Sequence, residues 1–370
     1  MKEGDMMEEV TSEVVEIPVD SAAVTEESVP PKKKRKPINQ QKLQDNLWGW
    51  AFCIPLIVGT VWFVYIAFIM ALMLSFTNYT LNKGSMLEFL GNFSDNIYPG
   101  GAFYWYKQVF THQTTTDYPM NEAGAYLFNT VFYMIGIPIG MVLSMFFAVC
   151  MSRDIKGGNV FRVLYYLPCV ASTISVVYTF KILFESEGVI NQLFGLDFNW
   201  LNLTGNAAAT WNSLNGTNAA GAFMNDPYWC QGLFQKMVII IMSVWKGLGG
   251  TIILYVAGLS GVNMATKEAA QIDGANGWQI FWKVTMPDLY PVIFYNIVTA
   301  VIGGMQIYME PVLLFKENYM TSGYVSLIWV YGLNGLSASQ ARGAAYGMVL
   351  AVIIFALTMF QFWLDSRNKD

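Results

Sequence analysis

The chain has 370 residues, of which 54% are hydrophobic and 13% charged, with a formal net charge of −5. Soluble domains carry about a quarter charged residues, so this composition excludes an ordinary water-soluble fold and makes lipid the expected main solvent. One histidine (His112) and four cysteines (Cys53, Cys150, Cys169, Cys230) without a CxxC pair exclude a disulfide framework and a His/Cys metalloenzyme.

Residues 1–31 hold nine Asp or Glu and one basic residue, Lys2. With few large apolar side chains, such a segment cannot bury enough surface to offset the entropy of ordering. Residues 1–44 are therefore expected to be a disordered acidic tail ending in a basic juxtamembrane block, Lys32–Lys36. The tail lacks the basic start and apolar stretch of a signal peptide, and is expected to stay uncleaved. Read alone, the basic block matches a nuclear import signal. Standing about a dozen residues before an apolar run, it reads better as a topological anchor, attracted to anionic membrane lipid.

A bilayer core takes about 20 apolar residues per helix. Six stretches qualify: Ala51–Leu74, Leu127–Met151, Phe161–Phe184, Gln235–Leu259, Pro291–Phe315 and Ala344–Leu364. Their prolines, Pro55, Pro138, Pro168 and Pro311 among them, are tolerable in spans because neighbouring helices can satisfy the freed carbonyls. The expected fold is an all-α membrane protein with a six-helix domain over residues 45–370. With the N-terminus inside, fourteen Lys and Arg fall on the cytoplasmic side and four (Lys83, Lys107, Lys316, Arg342) outside. The positive-inside rule then puts both termini in the cytoplasm. The outer loops become 75–126, 185–233 and 316–342, the second including a charge-free Asn/Gly/Ala/Thr-rich insertion.

The longest inner loop, 260–290, contains KEAAQIDGANGWQIFWKVTMPDLYP. Glu268–Asp273 has good helix formers, and Gly274 can take the left-handed conformation that ends a helix. From Gly277 to Val284 an apolar-aromatic pattern resumes, and Pro287 is expected to close this second short helix before span five. Ala269 and Ala270 are small enough to enter a tight groove, with Glu268 at its rim. The pattern suits a plug for another protein's surface.

The spacing Glu-Ala-Ala, three residues, Gly274, nine residues, Val284, one residue, Met286-Pro287 resembles the EAA loop of ABC importer permeases, with Val for Ile and Met for Leu. The resemblance extends over about Trp48 to Asp365. FNTVFYMIGIPIGMVLSMFFAV, FRVLYYLPCVAS, EGVINQLFG and VWKGLGGTIILYVAGL are similar to blocks of the maltose/glycerol-phosphate group, the carbohydrate-uptake permeases of type I importer fold. It implies a non-catalytic subunit in a bacterial inner membrane, half of a heterodimer with a second homologous permease. Two ATP-binding subunits and an extracytoplasmic solute-binding protein would complete the assembly. No cofactor is implied for this chain, since ATP and Mg would sit on the ATPase; there is no GxxxxGK[ST] phosphate loop in the sequence, and no nucleic acid is implied. The implied ATPase-coupling residues are Glu268, Ala269, Ala270, Asp273 and Gly274.

Polar groups inside a membrane are costly and face an interior path or another helix. Asn129, Ser243, Lys246, Asn296, Gln306, Tyr308 and Glu310 are such groups, with Trp245 nearby. Amides and carboxylates beside aromatic rings suit a sugar. The resemblance adds Gly247, Gly250, Gly303 and Gly304 to the expected substrate path. Glycines here, where a maltose site carries bulkier side chains, argue against maltose and leave room for a larger glycan, or for a substrate held mainly by the partner permease or the external binding protein. Glycerol phosphate is the chemical alternative, for which Lys246 would be the available cation. A secondary transporter calls for inverted repeats and paired mid-membrane acids, and a membrane enzyme for a catalytic cluster; neither pattern is evident.

Overall fold

The computed structural model describes residues 40–80, 91–112, 121–152, 158–195, 200–201, 232–316, 320–334 and 339–367. The acidic tail, the basic block and most of the Asn/Gly-rich insertion lie outside the described residues. Among the described residues the regular structure is helical, and one isolated antiparallel bridge joins Thr77 to Ile97. The chain divides into two units, residues 1–60 and 61–370. In the first, α1 (Gln40–Thr60) contains Pro55.

The second unit begins with a π-helical turn, Val61–Ile66, and α2 (Ala67–Leu74). There follow α3 (Tyr104–Thr111), α4 (Glu122–Tyr133), α5 (Gly136–Met151), α6 (Gly158–Val170), α7 (Thr173–Leu183), α8 (Val189–Phe194), α9 (Leu233–Ser260) and α10 (Met264–Ile272). Next come α11 (Gly277–Ile280), a second π turn (Phe281–Thr285) and α12 (Met286–Met305). The last elements are α13 (Met309–Phe315), α14 (Val325–Gly332) and α15 (Gln340–Arg367).

Among the described residues, five helical runs are long and apolar enough to cross a membrane: Trp48–Leu74, Glu122–Met151, Leu233–Ser260, Gly277–Met305 and Gln340–Arg367. The expected third span is instead a bent pair, Val160–Val170 and Thr173–Leu183, at 99° to each other; counted as one, it makes the sixth. Pro168 removes a backbone donor just before the bend. Beyond the bend, the Ser172 side chain accepts a hydrogen bond from the Ser175 amide at 3.3 Å and caps α7.

The fifth span differs from the sequence expectation, Pro291–Phe315. The helical run starts at Gly277 and stops at Met305. Pro287 does not close a short helix; it lies within the run, directly after the π turn at Phe281–Thr285. A π turn shifts the hydrogen-bond ladder by a residue, so a proline can follow without a break. The run ends where the Gln306 and Ile307 amides turn back to the carbonyls of Gly303 and Gly304. The segment formerly expected to complete the span becomes the separate helix α13.

Packing is tight where side chains are smallest. A Cβ on Gly249 of α9 would overlap the Tyr165 carbonyl oxygen of α6, and one on Gly343 of α15 would overlap Gly332 of α14. Ala148, Ile252 and Tyr255 form a buried cluster between α5 and α9. At one end of the second span, three polar groups hold the segment leading into α14. Asn129 Nδ2 donates to the Ser322 carbonyl (3.0 Å), the Tyr324 amide donates to Thr130 Oγ1 (2.8 Å), and the Tyr133 hydroxyl donates to the Thr321 carbonyl. Close by, the Tyr331 hydroxyl of α14 donates to Glu122 Oε2 at 2.6 Å, and the Arg342 guanidinium lies 3.4 Å from the Tyr331 ring centroid. Burial, reinforced by the bond to Glu122, pushes the Tyr331 hydroxyl well above its ordinary pKa.

Candidate functional site

Three spans enclose a cleft of about 420 Å³. The second contributes Tyr133, Gly136, Ile137, Gly140, Met141 and Ser144 through α4, the following turn and α5. From α9 come Ser243, Val244, Gly247 and Thr251. The fifth span, the break after it and α13 supply Asn296, Ala300, Gly303, Gly304, Gln306, Ile307 and Glu310. Glycines and Ala300 keep the walls open, while hydroxyl and amide groups provide both donors and acceptors. The volume and mixed lining are those of a small-molecule site.

Of the residues expected on a substrate path, Ser243, Gly247, Gly303, Gly304, Gln306 and Glu310 meet on this cleft. Trp245, Lys246, Gly250 and Tyr308 do not line it. Successive helical residues point about 100° apart, so a stretch chosen by sequence position always includes neighbours on other faces. Trp245 packs its ring against Phe180 at 5.6 Å, Tyr308 stands 6.2 Å from Trp329, and Gly250 faces Cys169 on α6. Lys246 turns to Glu310: its Nζ lies 3.2 Å from Glu310 Oε1 and 2.6 Å from Thr173 Oγ1. Asn129 points elsewhere, to the Ser322 carbonyl. Asn296 lines the cleft while its Nδ2 donates to the Tyr255 hydroxyl at 2.9 Å.

Sequence reasoning missed Tyr133, Ser144, Thr251 and Thr173. Ser and Thr are frequent in spans and usually bond their own helix, as Thr251 does to the Gly247 carbonyl at 3.2 Å. Nothing in their sequence context separates them from such residues.

The loop after α9 has a different construction. Asn263 caps α10 by accepting from the Ala265 amide at 3.0 Å. At the other end Gly274 has φ +81°, a left-handed conformation for which glycine is suited. The Gly274 amide bonds the Gln271 carbonyl and the Ala275 amide bonds Ala270, the paired closure of a Schellman C-cap. Asn276 and Gln279 then form a reciprocal capping box that starts the next helix. Glu268, Ala269, Asp273 and Gly274 are exposed and Ala270 half-buried. Ile272 is 87% exposed and Trp278 is 70% exposed. Large apolar side chains beside a carboxylate thus stand exposed on a turn whose ends are capped by its own neighbours.

Apolar helices long enough to cross a membrane, with a polar cleft between them and a capped exposed turn, define a multi-pass membrane protein. The family model described as "Binding-protein-dependent transport system inner membrane component" matches residues 136–370, and the chain belongs to that family. It is a multi-pass transport subunit of the inner membrane rather than a catalytic one. The chain is similar to the "Probable ABC transporter permease protein YesP" of Bacillus subtilis (strain 168), with 27% identity over 88% of this chain and 94% of that protein. It is likewise similar to the "Lactose transport system permease protein LacF" of Rhizobium radiobacter, 27% identical over 87% of this chain and 95% of that one. Its fold matches a chain of the "bacterial alginate ABC transporter in complex with alginate pentasaccharide-bound periplasmic protein". That match has a TM-score of 0.61 at 20% identity and covers 89% of this chain and 97% of the other.

Proposed function

We propose that the chain is the permease subunit of a bacterial ATP-driven importer for a sugar or oligosaccharide. It pairs with a second homologous permease, receives solute from an extracytoplasmic binding protein, and is driven by two ATP-binding subunits that hold the ATP and Mg. Similarity to relatives named for lactose and arabinooligosaccharide transport supports the sugar class. In this reading the N-terminal tail, the basic block and both termini are cytoplasmic.

The observation that carries the reading is the exposed turn from Glu268 to Gly274, capped at both ends. Glu268, Ala269, Ala270, Asp273 and Gly274 form the contact with the ATPase. The cleft lined by Ser243, Gly247, Gly303, Gly304, Gln306 and Glu310 is the solute path, and Lys246 acts on it through Glu310. Alternating access follows when ATP binding draws the two ATPases together and moves both turns relative to the spans.

The test is reconstitution of the permease pair, ATPase and binding protein in proteoliposomes, with accumulation of a labelled sugar as the readout. Accumulation that needs ATP inside and binding protein outside is expected. Accumulation driven by an ion gradient without ATP would overturn the assignment.

A further inference from the structure

We propose that Lys246 and Glu310 form a charge-cancelling clasp through which this wall of the cleft selects uncharged saccharides over uronate-bearing or phosphorylated ones. The inference rests on the cleft being the solute path and names the class of solute it takes.

Among the described residues that line the cleft, Glu310 is the one carboxylate and none is Lys or Arg. Its charge is met from behind. Lys246 stands on α9 beside Gly247, which does line the cleft, and reaches Glu310 Oε1 at 3.2 Å. The two side chains are 25% and 19% exposed, so neither charge is fully in solvent. In a membrane an unpaired charge at such a place is costly, and mutual pairing is the expected state. Thr173 Oγ1 takes a further ammonium donor at 2.6 Å, which leaves Lys246 little freedom to turn toward a solute.

The clasp also stands at both helix breaks. Thr173 is the first residue of α7, directly beyond the 99° bend, and Glu310 lies in the first turn of α13, beyond the interruption at Gln306–Tyr308. One ammonium thus ties the two broken segments to the unbroken span α9. The rest of the polar wall, Tyr133, Ser144, Ser243, Thr251, Asn296 and Gln306, consists of neutral hydroxyls and amides. Such groups can exchange hydrogen bonds with sugar hydroxyls in either direction. A carboxylate or phosphate on the solute would find no available cation here and would meet the pair from its negative side, since Glu310 lines the cleft and Lys246 does not. Sequence alone left Lys246 available to such an anion; the geometry commits it to Glu310.

The experiment is equilibrium binding by saturation-transfer NMR on the purified importer complex in nanodiscs, without binding protein, using maltotetraose and tetragalacturonate as probes. The wild type is expected to bind maltotetraose more tightly. Glu310→Gln frees Lys246 and should shift the affinity ratio toward tetragalacturonate by about tenfold, whereas Lys246→Gln leaves Glu310 alone and should shift it the other way. Lys246→Arg should keep the wild-type ratio. A purely structural role would move both neutralising variants in the same direction, and that result overturns the clasp. Preference of the wild type for tetragalacturonate overturns it too. If neither probe binds any variant, the reading of the cleft as the solute path fails and the inference with it; if both bind with ratios unmoved by substitution, that reading stands and the clasp alone is lost.

Discussion

The cleft and the exposed turn differ in how far apart their partners lie in the sequence. In the turn, the longest of the closing hydrogen bonds spans five positions, from the Ala275 amide to the Ala270 carbonyl. In the cleft wall, Lys246 is 64 positions from Glu310 and 73 from Thr173, and Asn296 is 41 from Tyr255. The closing bonds of the turn are all made by near neighbours, so its shape depends little on the register of the spans. The cleft exists only while three spans keep their register, so its shape changes whenever they move. In the proposed function the turn serves as the handle for the ATPase and the cleft as the solute path.

This contrast can be tested by perturbing each region separately. The largest effect is expected from Glu268→Lys. The residue is exposed, so the protein should keep its membrane abundance and thermal midpoint. Reversing a charge at a contact costs several kcal/mol, so transport-coupled ATP hydrolysis should fall by about thirtyfold or more. Coupling that survives this change would remove the turn from the mechanism.

Gly303→Leu should come next. A Cβ there meets no atom within 4 Å, so a larger side chain can enter the cleft without disturbing the fold. Uptake should drop severalfold while the unfolding temperature stays within error; unchanged uptake would exclude this cleft from the path. Gly249→Ala should do the reverse. Its Cβ would overlap the Tyr165 carbonyl, and overpacking costs about 1–3 kcal/mol, read as a lowered thermal midpoint in detergent. A midpoint equal to wild type would show that α6 and α9 are free to separate.

The smallest expected effect is that of Gly274→Ala. Holding a residue other than glycine at positive φ costs about 1 kcal/mol. Because the turn is closed locally, the loss should stay there. Hydrogen exchange should quicken over Met264–Ile272, with the global midpoint unmoved. A global shift would contradict the independence of turn and bundle.

How much was legible follows the same division. Hydropathy located the spans, since about 20 apolar residues in a row have few other uses. The helix ending at Gly274 was legible because its caps are made by near neighbours. The fifth span was placed too late because Pro287 reads as a stop, and a π turn that lets the helix continue has no strong local signal. Likewise, the third span read as one helix, although a bend at Ala171–Ser172 divides it. On the cleft, sequence position brought in Trp245 and Gly250 together with Ser243 and Gly247, although helical rotation sends the first two elsewhere.

The sequence by itself determined that this chain lives in lipid, how many apolar runs it has, and where its capped turn lies. These are properties of composition and of neighbours within a few residues. The tertiary structure alone decided which polar side chains share a space, because that depends on the rotation and crossing of helices far apart in the chain. It decided, too, that Lys246 turns to Glu310 and Thr173: a charge held in a membrane takes the partners that packing brings within reach.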